Sequence, residues 1–135
     1  MKNITIYCCL LFAAMACTDS EEMEYEIYLV NGESLYKQNC ANCHGEKGEG
    51  LRNLYPPLKD NEHLKNTEHV ICIIKNGASG EVSVNGQVYD QAMPANPKLF
   101  NLDIAQLATY LNKEFLESDV KVETSEVLKA LNNCK

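Results

Sequence analysis

Two thiols and an imidazole fall within five residues of this chain, Cys40-Ala41-Asn42-Cys43-His44, and no other stretch so narrows what it can fold into. A CxxCH pentapeptide is the arrangement that fixes a c-type haem. The thiols add across the two vinyl groups on one porphyrin edge, and the next residue then lies under the iron as proximal ligand. The rest of the fold must therefore leave room for a large, flat, mostly apolar group. CxxC also serves zinc sites and redox disulfides. Zinc would need a second ligand pair at similar spacing, which the sequence lacks, and the adjacent imidazole favours haem.

The first residues indicate where such a group would be attached. Lys2 is the one charge before a run of apolar residues from Ile4 to Ala16, too short to span a bilayer and of the right size for a secretory signal. Residues 1–16 are expected to be removed, since Ala14-Met15-Ala16 supplies the small residues that signal peptidases cut after. The next residue is Cys17, so the segment resembles a bacterial lipoprotein signal whose new terminal Cys receives lipid. Ala14 replaces the usual Leu of that pattern, and ordinary cleavage at the same bond is the alternative. Cysteine parity favours lipid. Of seven Cys, Cys8 and Cys9 leave with the signal, Cys40 and Cys43 go to haem, and Cys72 and Cys134 can pair in an oxidising compartment. Cys17 alone is left over, and a thioether to diacylglycerol would use it.

Removing residues 1–16 from 135 leaves 119, enough for one small domain. The formal net charge of −7 becomes −8 once Lys2 is gone, which argues against nucleic acid and against docking by charge on anionic lipid. Residues 17–30 read as a lipidated acidic linker, rich in Glu and with little to bury. A domain of this size has a limited apolar core, so folding is expected to depend on the buried porphyrin.

Within 31–116 the local signals alternate between helix and turn. Asn31 can cap a helix over 32–39, which delivers Cys40, with Gly32 and Tyr36 on one face. Gly45 to Gly50 is a turn-rich loop, without the ending or the preceding strand of a phosphate cradle. Pro56 and Leu58 follow His44 at a distance of twelve and fourteen residues. Asn66 or Thr67 can cap a short helix through Ile74, crowded by Val70, Ile71, Ile73 and Ile74 and closed by Gly77. Val82 to Tyr89 alternates around Asn85-Gly86, the pattern of a β-hairpin. Met93-Pro94 comes next, in a loop. Leu102 to Leu116 then carries an apolar stripe of Ile104, Leu107, Ala108, Leu111 and Phe115.

In this order, CxxCH, Pro-x-Leu, Met-Pro and two flanking helices resemble the class I cytochromes c, over roughly residues 32–112. The resemblance implies a mainly all-α fold of four to five helices around one haem c, here with a short β-hairpin. It implies that Gly32 and Tyr36 mark the crossing with the C-terminal helix. The Pro56 carbonyl would accept the His44 Nδ1 proton, Leu58 would pack on the ring, and Met93 would be the sixth ligand. A thioether is a soft, weak donor that favours ferrous iron, so His/Met ligation suits electron carriage. His63 and His69 are the alternative ligands, and both read as surface histidines.

Beyond Leu116 the chain departs from the minimal pattern. Residues 117–135 read as a linker followed by a helix capped at Thr124, with Val127, Leu128 and Leu131 facing inward, packed on the domain. A Cys72–Cys134 disulfide would pin this tail, and two unrelated thiols are the alternative. The expected protein is thus an exported, lipid-anchored mono-haem electron carrier on the periplasmic or cell-surface side of a bacterial membrane, with no enzymatic step of its own. Its partners would be redox proteins: a terminal oxidase, a reductase or a quinol-oxidising complex. Two rivals remain: a subunit of a larger oxidase or reductase, and a haem enzyme or gas sensor in which Met93 leaves the iron.

Overall fold

The computed structural model describes the backbone of residues 2–134 and the side chains of residues 20–134. The side chains of the signal segment 1–16 and of Cys17 lie outside the described residues. Helix α1 spans Lys2–Asn39, α2 is a single turn over Ala41–His44, and a 3₁₀ turn covers Glu62–Lys65. Then come α3 (Thr67–Asn76), a hairpin of β1 (Val82–Val84) and β2 (Gln87–Tyr89), α4 (Asn101–Leu116) and α5 (Thr124–Asn133). The fold is mainly helical, with one small antiparallel sheet, as the class I pattern implies.

The architecture is organised by the crossing of α1 and α4. A Cβ on Gly32 would collide with the Gln106 carbonyl oxygen and lie 2.6 Å from Tyr110 Cβ, so the two backbones touch where only hydrogen fits. One turn on, the fully buried Tyr36 ring sits 5.5 Å from Tyr110 and 5.6 Å from Phe115, a three-ring cluster across the crossing. Such ring pairs add roughly 0.5–1.5 kcal/mol each beyond the area they bury. The α4 stripe, Ile104, Leu107, Ala108, Leu111 and Phe115, is buried along its whole length.

Helix α1 does not begin at Asn31. It passes straight through that residue, which is exposed and mid-helix, and residues 20–30 continue the same rod. The reason is tertiary. Tyr28 is buried in the core, with the Lys121 ammonium 4.8 Å over its ring. That ammonium also reaches Glu24 at 2.9 Å and Glu123 at 3.1 Å. The acidic stretch is therefore held at Glu24 and Tyr28 by a cation some hundred residues along the chain, while Glu26, Ile27 and Val30 stay exposed.

The segment after α4 is tied down as well. Glu117 closes α4 in the left-handed conformation, φ 52°. Thr109 Oγ1 donates to Ala105 O and accepts from Val122 N at 2.9 Å, a buried link between α4 and the returning chain. Asn112 Nδ2 donates to Val120 O at 3.1 Å. Two details of α5 differ from expectation. Thr124 is the first helical residue, and the capping position is Glu123, whose N–H donates to the Glu126 carboxylate at 3.3 Å. Leu128 points outward, 53 % exposed, because α5 buries Val127 and Ala130 instead.

Candidate haem-binding site

The single turn α2 starts where α1 stops. Cys43 N and His44 N both donate to the Cys40 carbonyl, at 3.1 and 3.0 Å, which wraps the pentapeptide into one compact turn. The Tyr36 hydroxyl donates to the Gly45 carbonyl, so the α1–α4 crossing also anchors the chain that follows the turn. Gly50 N donates to His44 O at 2.7 Å, and Leu58 N to Gly48 O at 2.8 Å. The loop thus folds back and presents Pro56 to the imidazole. His44 Nδ1 donates to Pro56 O at 2.9 Å. This sets the tautomer and leaves Nε2 as the nitrogen available to a metal.

A cavity of about 480 Å³ opens beside this turn. Cys40, Cys43, His44, Pro56 and Leu58 line it, and so do Met93 and Pro94. Its remaining wall is largely apolar, from Leu64, Val70, Ile73, Ile74 and Leu111, with Val84 and Tyr89 contributed by the inner face of the hairpin. Asn85 (φ 51°) and Gly86 (φ 80°) make the hairpin turn, both in the left-handed region that a two-residue turn of this kind requires. Val82 pairs with Tyr89, and Val84 with Gln87, a register that turns Val84 and Tyr89 inward together.

Electrostatics match an apolar occupant. Burial holds the His44 imidazole below its usual pKa, with the Pro56 hydrogen bond opposing in part. Burial, with Cys43 beside it, pushes the Cys40 thiol up to about 12. Neither group favours charge in this site. Among the described residues, no cluster of three or more His, Cys, Asp or Glu side chains could hold a bare metal ion, so the zinc alternative has no ligand set here.

The residues present fit a c-type haem. Two free thiols line the cavity, an imidazole has one nitrogen to give, a thioether belongs to the same lining, and the walls are largely apolar. Of the residues singled out in the sequence, Cys40, Cys43, His44, Pro56, Leu58 and Met93 are brought to one cavity. Cys72 and Cys134 lie behind its wall, joined as a disulfide with Cα atoms 5.7 Å apart. His63 and His69 also border the cavity, their rings 6.4 Å apart. His63 is half-buried there, with Nε2 donating to Ser83 O at 2.9 Å, so its far nitrogen holds the hairpin.

Sequence reasoning missed Asn61, which is buried at the bend between loop and 3₁₀ turn. Its Nδ2 donates to Pro57 O and its Oδ1 accepts from His63 N, both at 3.0 Å. The signal was present, since an Asn two residues before a His in a turn-rich stretch is an Asx-turn pattern.

A CxxCH turn whose imidazole is oriented by a proline carbonyl, with a methionine lining the same cavity, agrees with a class I cytochrome c. The sequence profile of the family described as "Cytochrome C oxidase, cbb3-type, subunit III" matches residues 29–111, and the chain belongs to that family. It is 29 % identical over 86 residues to cytochrome c-552 of Thermus thermophilus, covering 60 % of this chain and 65 % of that protein. A second T. thermophilus cytochrome c-552 is matched equally well over 57 % of its length, so the chain spans less than two thirds of these relatives. Cytochrome c6 of Cyanidium caldarium is 27 % identical over 117 residues, 82 % of this chain and 91 % of that one. The family implies covalently bound haem c.

Proposed function

We propose that the protein is a mono-haem electron carrier with His44 and Met93 as axial ligands, tethered to a membrane through lipid on Cys17 and passing single electrons between respiratory partners. The observation that carries this reading is the meeting, in the lining of one largely apolar cavity, of a histidine with Nδ1 committed to Pro56 O and a methionine in a loop. When bound, haem c supplies the Fe(II)/Fe(III) couple.

The chain's own residues do the rest. Cys40 and Cys43 would hold the ring by thioether bonds. Pro56 fixes the imidazole plane and makes His44 a stronger donor, and Met93 offers a soft sulfur that favours the reduced state. Leu58, Val70, Ile74 and Leu111 exclude water, so little reorganises when one electron arrives. The negative surface would steer a positively charged partner, with rates that fall as salt rises. Export fits the disulfide chemistry of Cys72 and Cys134, which persists in oxidising compartments. Among the described residues no helix is long and apolar enough to cross a membrane, and lipid on Cys17 is the tether proposed.

Optical redox titration of the haem-loaded protein tests the reading. The ferric protein should be low-spin with the weak red band of sulfur ligation, and Met93→Ala should lose that band and lower the midpoint potential by on the order of 0.1 V. A high-spin ferric spectrum of the unmutated protein would instead favour the sensor or enzyme reading. The family match favours a second reading of the partners, as a subunit of an oxidase complex. Purification from membranes with stoichiometric partners would support that assembly, and recovery as a lone chain would support a free shuttle.

A further inference from the structure

The loop that carries Met93 hangs on the end of one helix. α3 stops at Asn76, and the carbonyls of its last turn have no partner within the helix. Asn96 takes two of them, donating through Nδ2 to Ile74 O at 2.9 Å and through its own N–H to Lys75 O at 3.3 Å. Lys75 returns the contact, its ammonium donating to Pro97 O at 3.0 Å and to Leu99 O at 2.7 Å. Between these anchors Ala78 and Met93 exchange backbone hydrogen bonds of 3.0 and 2.9 Å. Gly77 makes the close approach possible. Its φ is 77°, and a Cβ there would lie 2.6 Å from Met93 O and 2.8 Å from Ala95 N.

We propose that Lys75 and Asn96 are positioning residues for Met93, locking residues 93–99 to the C-terminal end of α3 and so setting where the thioether stands over the cavity. The inference rests on Met93 being the sixth ligand. A thioether binds iron weakly, so its residence there depends on how firmly the backbone behind it is held. Lys75 supplies charge-assisted bonds to carbonyls of the loop, and Asn96 caps a helix end that is itself fixed from behind by the Cys72–Cys134 disulfide. The loop and the helix end therefore move as one body.

Imidazole titration of the ferric, haem-loaded protein reads this directly, because added imidazole must displace Met93. The double variant Lys75→Ala, Asn96→Ala is expected to bind imidazole roughly tenfold more tightly than the unmutated protein, each single variant about threefold, and Lys75→Arg close to unmutated. Lys113→Ala, which removes an exposed ion pair between α4 and Asp119 beyond its end, is the control and should not move. Unchanged affinity in the double variant overturns the proposal, as does an equal shift in the control. If the double variant takes up no haem, the two single variants decide by the same criterion. Met93→Ala separates the underlying reading: if it leaves imidazole binding unchanged, Met93 is not the ligand and the failure lies there.

Discussion

The bonds that shape the His44 turn are short in sequence, and those that hold the Met93 loop are longer. Cys40, Cys43 and His44 share one turn, and His44 reaches Pro56 only twelve residues on. Met93 depends on the end of α3, on Asn96, and, behind α3, on a disulfide that closes 62 residues of chain. The difference teaches where stability and tuning reside. On the proposed ligation, His44 would be set by its own turn and the nearby Pro56 loop, whereas Met93 would be set only when three more remote segments have assembled.

The largest effect should come from the proximal side. Cys40→Ala with Cys43→Ala removes the covalent hold, and circular-dichroism melting is expected to lose its cooperative transition, since the cavity walls would then face water. A native-like cooperative melt would break the comparison at its first term. Next comes the distal anchor. Replacing Cys72 and Cys134 by Ala should cost up to about 4 kcal/mol in denaturant titration, on the chain-entropy account of a loop this long. The distal contrast requires that sulfur ligation weaken in this variant while His44 ligation persists. Mass spectrometry of non-reduced, alkylated protein checks the bond itself, and two alkylated thiols at these positions would end the idea.

Gly77→Ala ranks third. The left-handed backbone and the 2.6 Å approach to Met93 O predict a loss of about 2 kcal/mol together with a fading of the sulfur band. A loss of stability with the band intact would uncouple the helix end from the ligand. The smallest effect is proximal again. Asn61→Ala removes the bonds to Pro57 O and His63 N and should cost about 1 kcal/mol in a denaturant titration, with little change in midpoint potential, because Pro56 O still orients His44.

The same contrast explains what could be read in advance. CxxCH, Pro56, Met93, the Asn85-Gly86 hairpin and the α4 stripe are legible because each is decided by a few adjacent residues or by a helical period. The start of α1 was not, because Asn31 carries every local mark of a cap while Tyr28 and Lys121 overrule it from a distance. Leu128 was misplaced for a related reason: α5 has apolar residues on more than one face, and the partner surface chooses Val127 and Ala130. The clamp of Lys75 and Asn96 could not be found at all from spacing, since a lysine that binds two carbonyls looks, in sequence, like any other lysine at a helix end.

The uninterrupted run of α1 through Asn31 has a mechanical consequence. From Ser20 to Asn31 the helix rises by roughly 17 Å at about 1.5 Å per residue. Its inner half is bolted to the body by Tyr28 and the Glu24–Lys121 pair. Whatever is fastened just upstream is joined to the domain by a mast and not by a leash. On the proposed tether through Cys17, the cavity mouth would then be limited in its bearings to the surface, and a docking partner would meet it from fewer directions.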